Sequence, residues 1–254
     1  MNHVMNRVIK IGGGILDKPE QLNAVLDAIA RRPDGVVLVH GGGRLATDLA
    51  ERLHLPQHMH EGRRITDYDT LQVVTMTYAG WINKSIVAGL YARGVAALGL
   101  CGADGDLIRS VKRSPDPVDF GFVGDPVAVN HDALRSYAGD AVPVIAPITH
   151  DGAGTLLNTN ADTVAAVIAR ALAPNVELVF AFDHVGVLRN LQDPTSMIPE
   201  LSRASATTMV NRGEIHSGML PKLSAAFSAV EQGVPRVRIV KYDEIDGEGG
   251  TWIR

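Results

Sequence analysis

The chain has 254 residues, 46% hydrophobic and 20% charged, with a formal net charge of −4 at pH 7. That length supports one large α/β domain or two lobes, and the charge gives no global attraction to nucleic acid or anionic membrane, so any phosphate handling must rest on a few placed cations. The lone cysteine, Cys101, cannot form an internal disulfide; neither a signal-type start nor a bilayer-length apolar run is present, and a cytoplasmic protein is expected.

Arg7 to Ile11, RVIKI, predicts a first strand that runs into Gly12, Gly13 and Gly14. Lys10 at its carboxyl end is either an ordinary surface lysine or, standing before a glycine loop, an ammonium that shares a phosphate with exposed amides. Leu22, Val25, Leu26 and Ile29 fall at helical spacing and close a strand, helix, strand unit. The second strand, VVLVH, empties into Gly41, Gly42 and Gly43, followed by a helix with Leu45, Leu49 and Leu53 at every fourth position and Ala46 and Ala50 beside them. Glycines there serve a tight turn, or let N–H groups at a helix N-terminus approach an anion closely.

The polar run HLPQHMHEGRRITD reads as a loop or short hairpin over the sheet. His54, His58 and His60 lack a cysteine or an H-E-x-x-H pattern and read as solvated rather than metal-binding, so no metal site is assigned. Arg63 and Arg64 are an exposed basic pair or a source of guanidinium forks for a carboxylate. Tyr68 to Arg93 predicts a long helix with Leu71, Val74, Tyr78, Ile82, Ile86 and Leu90 buried, Asn83 and Lys84 on its polar face, and Gly94 as cap. VAALGLCGADGD is another strand into a loop; LIRSVKR and FVGDPVAVN predict a β-hairpin excursion of the kind that covers a site; Asn130 caps a short helix to Tyr137, and AVPVIAPIT is a buried strand.

The loop HDGAGTLLNTNAD then leads into a helix whose stripe is Val164, Val167, Ile168 and Leu172. Asn158, Asn160 and Asp162 alternate before it, serving as helix caps or facing one side together, with amides for a carboxylate and an anion to hold lysines. VELVFAFD is a strand ending at Asp183 with a turn through Gly186. Beyond a helix from Arg203 comes GEIHSGMLPK, which places Lys222 in the first turn of a helix, where the dipole disfavours a cation unless an anion is bound. The strand PRVRIVK closes the alternation. No repeat or linker is evident, only a change of half near residue 175.

Known nucleotide motifs fit poorly. Gly41, Gly43 and Ala46 satisfy G-x-G-x-x-A, but no second strand ending in an acidic residue follows at about twenty positions. P-loop and G-x-S-x-G patterns do not occur.

Taken in order, VIKIGGG, VLVHGGG, GRRIT, LNTNAD and GMLPK resemble the amino-acid kinase family over nearly the whole chain. The resemblance implies a three-layer αβα sandwich around a mainly parallel open sheet. It implies a single domain over 1–254, with an acyl-amino-acid half at about 1–174 and a nucleotide half at about 175–254. The activity implied is ATP-dependent phosphorylation of the side-chain carboxylate of an N-acyl-L-glutamate in arginine biosynthesis. Carried residue by residue, Lys10 and Lys222 stabilise the transferring phosphoryl group and Asp162 orients both. Gly42 and Gly43 hold the substrate through N–H groups, and Arg64 and Asn158 bind its α-carboxylate; Asn160 and Arg63 are added as substrate-binding candidates from the residues themselves. Gly12 and Gly13 touch ATP phosphates, Asp183, Gly186, Glu214 and His216 hold the nucleoside, and Mg2+ bridges the β- and γ-phosphates.

Two positions depart from the family pattern: Phe182 stands where Ser or Thr often precedes the strand-end aspartate, and Arg63 replaces an apolar residue beside the substrate arginine. The second leaves an N-succinyl-L-glutamate kinase as an alternative. A Rossmann-type oxidoreductase and a non-catalytic amino-acid sensor are the alternatives in other classes. A homodimer without the N-terminal helical extension of arginine-inhibited hexamers, and without arginine feedback, is expected, with small molecules as ligands and no nucleic acid or membrane partner.

Overall fold

The computed structural model describes residues 5–138, 141–215 and 219–254. Strand β1 (Arg7–Ile11) is buried at every position, as an apolar strand covered on both faces must be. The chain turns through α1 (Gly13–Leu16) into α2 (Pro19–Arg31), whose proline occupies the first turn, where its missing N–H costs nothing. Strand β2 (Val36–His40) runs parallel to β1 and leads into α3 (Gly43–Arg52). The face α3 buries is made by Ala46 and Ala50; Leu45 and Leu49 pack at its margin, and Leu53, just past the helix, is 48% exposed. Small residues let this helix lie close to its neighbours, which a leucine stripe alone does not reveal.

The polar run forms the hairpin of β3 (His58–His60) and β4 (Arg63–Ile65). The expected long helix follows as α4 (Tyr68–Thr75), a π-helical stretch Met76–Ile82, and α5 (Asn83–Tyr91), with Asp67 capping its start and Gly94 at φ 76° closing it. Its six-residue apolar stripe is buried as the spacing predicts. Asn83 corrects the expected polar face, because it is fully buried while Lys84 is exposed. Its polar amide is satisfied by groups distant in sequence, which periodicity cannot show.

Beyond β5 (Ala97–Cys101) the excursion is the hairpin of β6 (Ile108–Lys112) and β7 (Gly124–Val129). Helix α6 (His131–Ala138) leads to β8 (Val142–Ala146) and β9 (Ile148–His150). The stretch expected as a loop contains a further strand, β10 (Leu156–Asn158), antiparallel to β9. Then follow α7 (Ala161–Ala171), β11 (Glu177–Phe182), β12 (Glu200–Leu201), α8 (Arg203–Asn211), α9 (Leu220–Glu231), β13 (Arg236–Lys241) and β14 (Thr251–Ile253).

One eight-stranded sheet has the order β12-β14-β13-β11-β1-β2-β8-β5, parallel except where β13 meets β14. A smaller sheet, β10-β9-β6-β7, accompanies it. Val8, Val37 and Val39 enter one apolar core while Ile9, Ile11, Val36 and Leu38 enter the other. The period-2 alternation of a strand therefore serves two helical layers at once, giving the three-layer α/β sandwich. Strand β1 has β2 on one side and β11 on the other. The chain reverses direction across the sheet there, and the carboxyl ends of strands flanking such a switch open a crevice.

Candidate active site

Lys10 is the penultimate residue of β1, so the strand itself carries its side chain to the crevice. It is 8% exposed, and its Nζ lies 2.7 Å from Asp162 Oδ1. Asp162 sits in the first turn of α7, where the helix dipole favours a carboxylate. Asn160 is the N-cap of that helix, its Oδ1 accepting from the Asp162 and Thr163 N–H groups at 2.8 and 3.1 Å. One cap thus fixes the backbone from which the carboxylate reaches Lys10. Of the two readings of the alternating polar residues, capping is seen at Asn160; Asn158, Asn160 and Asp162 also line one cavity, together with Thr159 and Ala161 between them.

Lys222 stands in the first turn of α9, after Pro221. Burial pushes its pKa below the ordinary lysine value, Asp183 raises it, Lys10 lowers it and Asp162 raises it. Its Nζ lies 4.1 Å from the Phe182 ring centroid, within the range where the ring face attracts a cation. Phe182 in turn stacks on Phe180, ring planes 3° apart. The departure at Phe182 therefore supplies a seat for the Lys222 ammonium.

Two adjoining spaces meet at Lys10, Gly12, Gly13, Asp162 and Pro221. The larger, about 650 Å³, is bordered by Gly41 to Gly43, Arg63, Arg64, Tyr78, Arg113 and Asn158. The smaller, about 260 Å³, is bordered by Phe182, Asp183 and Lys222. Arg64 donates to Gly43 O and Thr47 Oγ1 at 2.9 Å and also to Gln57. Asn158 Nδ2 donates to Thr66 Oγ1 at 3.0 Å. Gly42 has φ 148°, and a Cβ there would collide with the Ile82 side chain, so only glycine lets this loop pass so close to the helix beneath.

Other sequence-designated residues fall elsewhere. Gly186 packs against Thr251 and Met197, and a Cβ there would collide with the Thr251 hydroxyl. Glu214 pairs with Arg189 at 3.5 Å and Arg212 at 3.8 Å, and neither Gly186 nor Glu214 borders the two spaces. His216 lies outside the described residues. His54, His58 and His60 are exposed, His60 edge-on to Phe120 at 5.9 Å. Tyr78 and Arg113 are cavity residues that sequence reasoning missed. Tyr78 reads as core because it continues the apolar stripe; burial raises its pKa, against the influence of Arg64. Arg113 lies in the excursion expected to cover a site, paired with Asp125 and stacked over Phe120.

Two glycine loops, two ammonium groups and one carboxylate that holds a lysine thus face one crevice. Such a set can surround the equatorial oxygens of a phosphoryl group in transfer, a reaction that needs positioning and positive charge more than covalent help. Among the described residues no cluster of three or more His, Cys, Asp or Glu forms a preformed metal cage. A magnesium ion that arrives on nucleotide phosphates needs no such cage, and the carboxylates of Asp162 and Asp183 are those that border the smaller space.

Residues 5–241 match the sequence model of the amino acid kinase family. Over 250 residues the chain is 48% identical to acetylglutamate kinase of Bacteroides fragilis, covering 97% of this chain and 96% of that protein. Over 247 residues it is 50% identical to acetylglutamate kinase of Parabacteroides distasonis, covering 96% and 97%. The solved structure of smu.665 from Streptococcus mutans UA159 superposes with a TM-score of 0.77 at 25% identity, covering 97% of each chain.

Proposed function

Because the chain belongs to the amino acid kinase family, we propose that it transfers the γ-phosphoryl group of ATP to the side-chain carboxylate of N-acetyl-L-glutamate, the acylglutamate kinase step of arginine biosynthesis. The observation that carries this reading is the convergence of Lys10, Asp162 and both glycine loops on one crevice. The names of the relatives and the extent of their match support the substrate.

In the reaction, a carboxylate oxygen of the substrate bonds to the γ-phosphorus as the bond to the β–γ bridging oxygen breaks, giving an acyl phosphate and ADP. The attacking carboxylate is ionised at neutral pH, so no general base is required. We assign Lys10 and Lys222 to the charge that gathers on the transferring group, with Asp162 holding Lys10 in place. The N–H groups of Gly42 and Gly43 and the guanidinium of Arg64 face the acyl amino acid, with Asn158 and Asn160 beside it. Gly12, Gly13 and Asp183 face the nucleotide. Asp162 and Asp183 are the carboxylates at hand for a magnesium ion brought by the nucleotide, which would add charge neutralisation at the phosphates. Gly186, Glu214 and His216 keep only the family assignment for the nucleoside.

We place the enzyme in the cytoplasm, where ATP and acylated amino acids are available, and as a homodimer. Among the described residues no helix is long and apolar enough to cross a membrane. The dimer reading draws on the open edge of β5, with Leu98 exposed on it, and on exposed Met76, Trp81 and Tyr91 along the helical segment next to it.

The test is acyl phosphate formation trapped with hydroxylamine. Hydroxamate that needs ATP and N-acetyl-L-glutamate together, with no NAD(P)H signal, is expected. Ligand binding without turnover would favour the sensor, and a nicotinamide signal the oxidoreductase.

A further inference from the structure

His40 is fully buried at the end of β2, immediately before the glycine loop, and no step of the phosphoryl transfer uses it. Its two ring nitrogens face different partners: Nδ1 lies 2.9 Å from the Gly41 carbonyl oxygen and Nε2 lies 3.2 Å from Asn83 Nδ2. The Asn83 amide is oriented by its surroundings. Its Nδ2 donates to the Val144 carbonyl at 2.8 Å and reaches that of Leu100 at 3.4 Å, while its Oδ1 accepts from Lys84 Nζ at 3.1 Å. Turned over, the amide would set its oxygen against two carbonyls and its N–H groups against an ammonium. Gly41 O can only accept and a protonated Nε2 would meet the Asn83 NH2 group donor to donor, so the ring proton is on Nδ1, donating to Gly41 O, and Nε2 is left with its lone pair toward Asn83. Burial pushes the His40 pKa down to about 4, which keeps the ring neutral.

The consequence lies one peptide further on. Gly41 is held at both ends, its N–H donating to Ile11 O at 3.0 Å and its carbonyl accepting from His40. In a planar trans peptide the carbonyl of one residue and the N–H of the next point in opposite directions. Fixing the Gly41 carbonyl toward the buried ring therefore fixes the Gly42 N–H away from it. That N–H has no protein acceptor among the described residues, and Gly42 borders the large cavity. Gly99 completes the arrangement, since a Cβ there would collide with Asn83 Oδ1.

We propose that His40, in the neutral Nδ1–H tautomer imposed by Asn83, is a positioning residue that aims the Gly42 N–H at the carboxylate undergoing phosphorylation. This rests on the function proposed above for the substrate, but the tautomer does not.

Two measurements on the full chain test it. In 15N-histidine-labelled protein at neutral pH, the resonances lost in His40→Asn should show an unprotonated Nε2 and a protonated Nδ1; an Nε2–H tautomer or an imidazolium overturns the proposal. In kinetics, His40→Leu should lower kcat/KM for N-acetyl-L-glutamate at least tenfold with KM for ATP within twofold. His40→Asn, whose amide N–H can replace Nδ1–H, should recover most of that loss. Equal activity of all three proteins, or no recovery in a folded His40→Asn, overturns it. If His40→Leu does not fold, the tautomer and His40→Asn against wild type decide. A wild-type protein without kinase activity but with the Nδ1–H tautomer would fault the functional reading and leave the ring geometry standing.

Discussion

Lys10 and Asp162 form a 2.7 Å ion pair at the point where β1, α7 and the first glycine loop meet, with the lysine side chain 10% exposed and the aspartate 30%. A buried ammonium beside a partly exposed carboxylate strengthens the attraction without removing both charges from water. The pair presents an ammonium at a fixed place rather than a mobile one, which is what a reaction limited by positioning requires.

The first prediction follows from that pair. Asp162→Asn should lower kcat on the order of a hundredfold at every pH where the enzyme is folded, because the carboxylate orients cations and accepts no substrate proton. Lys10→Ala should do at least as much, with smaller effects on substrate binding. A pH–rate profile that keeps its plateau and loses one limb in Asp162→Asn would instead make this residue a base.

Lys222 has a different environment, and the second prediction uses it. Burial lowers its pKa in the free enzyme, so the protonated form that stabilises phosphoryl oxygens is lost as pH rises through a value below the ordinary 10.5. The alkaline limb of kcat/KM should therefore begin below the usual lysine range. In the nucleotide complex the phosphates favour the charged form, and the alkaline limb of kcat should move upward. Phe182→Leu removes the ring beneath the ammonium, a contact worth roughly 0.5–2 kcal/mol. It should change turnover by far less than Lys222→Ala, and it should shift the limb of kcat/KM. Identical limbs in the wild type and Phe182→Leu would show that the ring does not hold this lysine.

The strands and most helices are legible in the sequence because burial on both faces or one writes a period of its own: RVIKI, VVLVH and VELVFAF are apolar runs, and Leu71 to Leu90 keeps helical spacing. The candidate lysines are legible from glycines and helix starts beside them. What stays hidden depends on contacts far apart in the chain. Asn83 reads as a solvent-facing residue until His40 and Val144 are placed beside it. Tyr78 satisfies the apolar stripe and borders the cavity at once. The closeness of Thr251 to Gly186 is likewise invisible until β14 is placed beside that turn. The short β10 is only three residues long and too polar at its end to announce a strand.

The third prediction concerns Gly42. Any Cβ there meets Ile82, and φ 148° is a conformation that L side chains rarely adopt. Gly42→Ala should lower Tm, with a cost of about 1–3 kcal/mol for the strained backbone, and should abolish most activity by moving the loop N–H groups. Adding Ile82→Ala relieves the collision but not the dihedral strain. It should recover part of the stability and little of the activity, measured by thermal unfolding and kcat/KM in the same preparations.

The last prediction separates two neighbours. Arg64 is partly buried, donates to Gly43 O and Thr47 Oγ1, and so is held in a fixed direction beside the second glycine loop. Arg63 also borders the cavity but is exposed, and no hydrogen bond or ion pair fixes it among the described residues. A carboxylate that loses a charged hydrogen-bonding partner costs about 2 kcal/mol, roughly thirtyfold in kcat/KM. Arg64→Leu should lower kcat/KM for N-acetyl-L-glutamate by about that factor, and Arg64→Lys should fail to restore it because an ammonium cannot reproduce the fork. Arg63→Leu should leave the same quantity within twofold, since the acetyl group carries no charge for it to meet. The informative control is N-succinyl-L-glutamate, whose acyl group ends in a second carboxylate. A loss confined to that substrate in Arg63→Leu would place the acyl end beside Arg63, whereas a loss with both substrates would mean that Arg63 contacts the glutamate part and that the assignment of Arg64 as the α-carboxylate residue is wrong.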